Sequence, residues 1–371
     1  LAAALSRAPG SAWQAFTVEV PSGSNKIPAF PGVPVEYCIF TRALDSHGTR
    51  SHKHALLAHA GKWCRQHGSR AVFLDVIDTG WVIADILEGN AMPHGVDVLL
   101  CNNKAMATLA RRANPPSKDG PVAGWQHAVR LFHHHTNPGV VTPRDHIGRP
   151  YICRVAIFLT QTRDPPPAAV ITSLTAAACS VPGVLRFAVV TQAGKGNVIL
   201  GKRAGANVQD HLCPGRSKEM VQACEGDGGG RAASYRRYPP RAGCFQEQYE
   251  YHEDPGLDAV DVVLLWPQTI VEKELHRPST RFLFWLSRGV PAIFFPHHSW
   301  VELSEEEDYR LPSGNIPAAR DGEQLQMVLA EMVDSSTRLH LRDRGLGIAS
   351  KYSIDGVARD LVHILEQPIV D

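Results

Sequence analysis

Apolar runs of strand length alternate with helix-like stretches through the first 135 residues, and this alternation constrains the fold more than any other feature. "VEYCIF" (35–40), "AVFLDV" (71–76), "DVLLCN" (97–102) and "AVRLFHHH" (128–135) are short and continuously apolar, as buried parallel strands are. Between them lie "SHKHALLAHAGKWCRQHG" (51–68), "WVIADILEG" (81–89) and "NKAMATLARRA" (103–113), each with helical character. Strand, helix, strand in quick succession requires βαβ units on a parallel sheet. "TNPGVVTPRDHIGRP" (136–150), rich in Pro and Gly, breaks the rhythm and reads as a linker.

A second set follows. "CRVAIFL" (153–159) and "VLRFAVVT" (184–191) read as strands and "AAVITSLTAAACS" (168–180) as a helix. From about 192 to 248 the composition turns to Gly, Arg and Pro, which reads as mobile loop or insertion. "AVDVVLLW" (259–266) and "VPAIFF" (290–295) restore the strand pattern around a helix from Pro278 to Arg288. "DGEQLQMVLAEMVDS" and "IDGVARDLVHILEQ" are amphipathic helices. With 371 residues there is room for two domains. The expected division is an N-terminal domain at 1–150 and a C-terminal domain at 151–371. Both are expected to be Rossmann-like α/β domains, with the ligand in a cleft between them.

The formal net charge of +1 provides no overall attraction to nucleic acid or an anionic membrane, so any anionic partner must be met by local charge. No apolar run approaches the roughly 20 residues that span a bilayer. The start, "LAAALSRAPGSAW", has no signal-peptide core and reads as a fragment edge or processed end. The eight cysteines are scattered without a C-x-x-C, against a zinc ribbon and against a disulfide-dense module. Cys38, Cys101 and Cys153 sit in apolar runs as buried thiols would. A reducing, cytoplasmic setting is the resulting expectation.

Local charge concentrates in "HRPSTRFLFWLSRGVPAIFFPHH" (276–298). Pro278 suits the first helical position and Gly289 the residue past the helix end. Arg277 and Arg281, four apart, overhang one face of the first turn and oppose the helix dipole. They either hold an anion beside Ser279, Thr280 and the free N–H groups, or pair with Glu272 or Glu274 on a solvated face.

These residues carry a resemblance. "DAVDVVLLW…RPSTRFLFWLSRGVPAIFFPHHSWVEL" resembles the donor domain of glycosyltransferases of the two-Rossmann, GT-B architecture, in particular a bacterial-type group. "HHHTNPGVVTPRDHIGRPYICRVAIF" is similar to that group's linker and following strand, and "RDRGLGIASKYSIDGVARDLVHILE" to its closing helices. The resemblance implies transfer of a sugar from a nucleotide-diphosphate-sugar donor to an acceptor, with no cofactor or metal required. It makes Arg277, Ser279, Thr280 and Arg281 donor contacts, with His297, His298, Ser299 and Glu302 of "FFPHHSWVEL" beside them. Two glutamates eight apart, common in retaining relatives, are replaced by His276 and Phe284. A non-catalytic binding or scaffold role therefore stands as an alternative, as does a nucleotide-sugar epimerase of the same architecture.

On the acceptor side, His133 and His135 share one face of a strand end, where an imidazole acts as general base or is merely solvated. Asp145 joins them as a catalytic candidate. Arg144 contacts substrate or locks the linker. His47, Thr49 and Arg50, ahead of a helix, form an anion or acceptor pocket unless Ser51 there is only a cap.

Overall fold

The computed structural model describes residues 34–41, 50–76, 80–88, 95–112, 129–133, 145–159, 166–192, 206–225, 260–267 and 279–368. The chain divides into two compact units. One comprises Leu1–Pro138, Val271–Leu283 and Ala349–Asp371, and the other Gly139–Ile270 and Phe284–Ile348. The C-terminal helix thus belongs to the first unit, unlike a single cut at residue 150.

The first unit is built on four parallel strands in chain order: β1 (Tyr37–Phe40), β2 (Ala71–Asp75), β3 (Val98–Cys101) and β4 (Val129–Leu131). Helices α1 (Arg50–Gln66), α2 (Gly80–Leu87) and α3 (Lys104–Arg112) make the crossovers. The strands lie where the apolar runs predict them, and β2 and β3 are buried at every position. Leu57 of α1, Val82 of α2 and Met106 of α3 pack with Leu74, Leu99 and Val129 into one core. Close packing of α1 rests on two glycines. A Cβ on Gly61 would stand 2.2 Å from the carbonyl oxygen of Gly95, itself at φ +90°.

The second unit's sheet has the order β7-β6-β5-β8-β9, from β5 (Val155–Phe158), β6 (Arg186–Gln192), β7 (Ala206–Leu212), β8 (Val262–Leu265) and β9 (Ala292–Phe294). All neighbours are parallel except the β6–β7 pair. α4 (Ala168–Ser180) joins β5 to β6, and α5 (Lys218–Glu225) follows β7. α6 (Thr280–Leu286) lies between β8 and β9 in the chain. After β9 come α7 (His298–Glu306), α8 (Gly322–Met332), α9 (Ser335–Lys351) and α10 (Ile354–Glu366). Gly289, at φ +64°, ends α6 as expected, its N–H donating to Leu286 O.

Two expectations are corrected. The stretch 192–248, read as loop, contains β7 and α5. β7 is an edge strand whose residues 209–212 are exposed, so "ANVQDHL" carries no apolar signal, and register with β6 holds it in place. The reading of Cys38 and Cys153 as thiols is also overturned. Cys38 is bonded to Cys64, Cys153 to Cys224 and Cys179 to Cys213. Cys101 alone among the described cysteines is a buried thiol.

A charged centre lies beneath the second sheet. Arg338 of α9 is fully buried and donates to four carbonyls: Ile147 (3.1 Å), Val333 (2.7 Å), Met332 and Arg149. Ile147 belongs to the 3-10 turn Asp145–Gly148, so the guanidinium ties that turn to the C-terminal end of α8. Asp261, just before β8, accepts from the Arg154 N–H at 2.9 Å. Burial pushes its carboxyl up to about 6, against the pull of that N–H and of the Arg338 and Arg149 charges.

Candidate functional site

In an open α/β sheet a ligand binds at the carboxyl ends of the strands where the winding reverses. In the second unit that point lies between β5 and β8, because the chain leaves β5 for β6 on one side and β8 for β9 on the other. Aromatic rings collect there. Trp285 packs on Phe158 (centroids 4.5 Å apart) and Phe295 on Trp266 (4.8 Å). Phe295 is half-buried, and its N–H donates to Leu265 O at 2.9 Å, fixing the turn after β9.

At this edge α4 and α7 start with no acid in the first turn and no side chain bonded as N-cap, unlike α5, α8 and α10. An acid-free first turn alone does not mark them, since α1, α2, α3, α6 and α9 share it. α5, which starts at the amino edge after the antiparallel β7, has Glu219 in its first turn and Ser217 Oγ accepting from Met220 N. α8 is capped by Asp321 with Glu323 following, and α10 by Ser353 with Asp355 following. Acids and caps are what a helix start ordinarily recruits, worth roughly 0.5–2 kcal/mol for a cap. Where they are missing, the N–H groups and the positive end of the dipole remain available for an anion.

At the start of α7, His297 occupies the N-cap position, half-buried, with Nδ1 2.9 Å from Ser299 Oγ. His298 is exposed and Ser299 is buried. Trp300 packs its ring against His297 and Phe294. Its buried indole N–H has no hydrogen-bond acceptor among the described residues. Glu302 is half-buried one turn on. The "HHS" triplet is therefore gathered at one helix start, as its place after a strand suggests.

The first turn of α6 is described from Ser279 onward. Arg277 lies outside the described residues. Ser279 is 3% exposed, and its carbonyl accepts from Leu283 N at 3.0 Å. Thr280 and Arg281 are half-buried. Phe284 lies with its ring 3.8 Å from the Arg288 guanidinium.

His47, Thr49, His135 and Arg144 lie outside the described residues, and Asp145, in the second unit, opens the 3-10 turn. His133 follows β4, its ring edge-on to Tyr352 at 5.4 Å. Arg50 does not offer a free charge to an anion. Its guanidinium pairs with Asp85 at 3.1 Å and with Glu88, and the Glu88 hydrogen bond raises its pKa further. His54, one turn along α1, meets the other oxygen of Asp85 at 2.7 Å and rests edge-on against Trp81. The sequence signal for this cluster was the lone acid inside "WVIADIL". A second missed group is the buried trio Asp75, Asn102 and Asn103 at the carboxyl ends of β2 and β3. Asn103 caps α3 through Met106 N at 2.7 Å and donates to Asn102 Oδ1. Polar residues closing the apolar runs "FLDV" and "LLCNN" were its signal.

No family model matches the chain, and no curated protein does. Among solved structures it is similar to HepE of Anabaena in complex with UDP-glucose, at 12% identity and a TM-score of 0.46, over 89% of this chain and 78% of that one. It is also similar to WaaG, a glycosyltransferase involved in lipopolysaccharide biosynthesis (12%, 0.40, over 87% and 85%). A third is a UDP-forming trehalose-phosphate synthase from Burkholderia xenovorans (13%, 0.42, over 90% and 74%).

Proposed function

We propose that the chain is a glycosyltransferase that takes a sugar from a nucleotide-diphosphate donor, the donor's diphosphate lying at the carboxyl edge of the second sheet. The observation that carries the reading is the contrast in helix starts: α4 and α7 begin at the β5/β8 reversal uncapped and without acids, whereas α5, α8 and α10 are capped and acidic. A diphosphate supplies the negative charge those two starts lack. His297 and His298 add donors at α7, and the sequence resemblance adds Thr280 and Arg281 to the donor contacts. The half-buried ring of Phe295, backed by the buried Trp266, offers a face for a base or sugar.

As the glycosidic bond breaks, charge develops on the departing diphosphate. Helix N–H groups and cationic side chains fixed in advance stabilise that charge without reorganising. His133 is the described candidate for the base that takes the acceptor hydroxyl's proton.

The test is calorimetry with uridine, guanosine and adenosine diphosphates on the wild type and on His297→Ala and Arg281→Ala. Binding of at least one diphosphate, weakened about tenfold or more by either change, supports the assignment. Equal binding by all three proteins removes it. A second reading, binding without transfer, is favoured by Phe284 in place of a carboxylate. Tight donor binding with no release of free diphosphate over hours would select it.

A further inference from the structure

We infer that this chain folds and works in an oxidising compartment, where two disulfides fasten the β7–α5 arm to the amino edge of the second sheet. This replaces the cytoplasmic expectation and stands independently of the sugar-transfer reading.

Cys153, two residues ahead of β5, is joined to Cys224 in α5, with Cα atoms 5.5 Å apart. Cys179, in the last turn of α4, is joined to Cys213 just past β7, at 4.9 Å. Both separations lie within the range a disulfide spans without backbone movement. The two bonds close stretches of 71 and 34 residues and bracket the same arm, 206–225. A third bond, Cys38–Cys64, ties β1 to α1 in the first unit.

Little buried apolar surface holds the arm among the described residues. Residues 209–212 of β7 are exposed, and Met220 is the one apolar side chain of α5 classed as buried among the described residues. Beyond the strand register with β6, its polar anchors are the Arg154–Asp210 ion pair (2.7 Å) and Arg216. That guanidinium donates to the carbonyls of Val184 (2.6 Å), Val181 (2.9 Å) and Cys179. The last of these is the carbonyl of a half-cystine, so bond and anchor share one corner of the sheet. In the cytosol, the thioredoxin and glutathione systems keep such pairs reduced, whereas secreted and luminal proteins keep them bonded.

The remaining described cysteine behaves in the opposite way. Cys101 is fully buried, and burial pushes its thiol up to about 12, so it stays protonated and unreactive. Each bond forms when one cysteine thiolate attacks the disulfide of an oxidant, a protein or glutathione disulfide. The second thiolate then displaces the reduced oxidant. Two cysteine protons leave, and the oxidant's disulfide becomes two thiols.

The experiment purifies the full chain from an oxidising secretory compartment and maps it by non-reducing peptide mass spectrometry after alkylation in denaturant. Linked peptides containing Cys153 with Cys224 and Cys179 with Cys213 are expected, with Cys101 alkylated. Thermal unfolding with and without a dithiol reductant follows. Reduction is expected to lower Tm by about 5 °C or more and to make 206–225 the first segment cut by protease. Cys224→Ser is expected to lose the Cys153 link and part of that reductant response. Should that variant fail to fold, the peptide map of the wild type still decides. Alkylation of Cys153, Cys179, Cys213 and Cys224 without prior reduction, or a Tm and cleavage pattern indifferent to reductant, overturns the inference.

Discussion

Replacing Arg338 by Met should reveal how much of the second unit depends on one buried guanidinium. Met keeps an unbranched apolar stem but lacks the guanidinium head, so the change removes the donors, the charge and the volume of that head. Four carbonyls, of Ile147, Arg149, Met332 and Val333, lose their partner, and Asp261 loses a nearby cation. Breaking a buried charge network from one side costs about 3–5 kcal/mol. Against a total stability of about 5–15 kcal/mol, that is a large fraction. Urea unfolding at pH 7 measures it as a fall in the midpoint at constant slope. Asp261 supplies an internal check. Without Arg338 its carboxyl is pushed up further, so part of the cost should vanish where it is protonated. Arg338→Met combined with Asp261→Asn should then be less destabilising than the sum of the two single changes. A cost below about 1 kcal/mol for Arg338→Met, or additivity within about 0.3–0.5 kcal/mol, would refute the network.

Asp261 also predicts a pH dependence. Its folded pKa of about 6 lies above the ordinary 3.8. Below about pH 4 both folded and unfolded chains hold the proton, and between about 4 and 6 only the folded one does. Its contribution to stability therefore falls as pH rises through that window, by about 3 kcal/mol in all. Stability measured from pH 4 to 7 should lose this slope in Asp261→Asn, and an unchanged slope would assign it to other groups. Gly61→Ala should cost about 1–3 kcal/mol, since its Cβ would meet the Gly95 carbonyl and push α1 off the sheet. Differential scanning calorimetry reads this, and an unchanged Tm would mean the two backbones are not in such close approach.

How much of this was visible beforehand depends on the type of signal. Continuously apolar runs such as "AVFLDV" and "DVLLCN" gave their strands because a strand buried on both faces must be apolar throughout. β7 escaped because an edge strand needs only hydrogen bonds to β6, which leave no trace in side-chain type. α9, "SSTRLHLRDRGLGIASK", shows little periodicity because it carries two glycines and many charges, and its anchoring residue is an arginine; only the resemblance placed its second half among closing helices. Disulfide pairing was invisible, since Cys153 and Cys224 meet only once the sheet has formed. Of the site, the "HHS" triplet after β9 could be placed from its position in the βαβ pattern. Arg50 could not, because the carboxylates that occupy it come from a helix over thirty residues away.

The most direct test of the central claim is hydrogen–deuterium exchange on the wild-type chain with and without uridine, guanosine or adenosine diphosphate. At least one of these nucleotides should protect amides at the starts of α4 and α7 and in the turns after β8 and β9, leaving the amino edge of that sheet unchanged. Protection confined to the first unit, or no protection by any of the three, would contradict that claim.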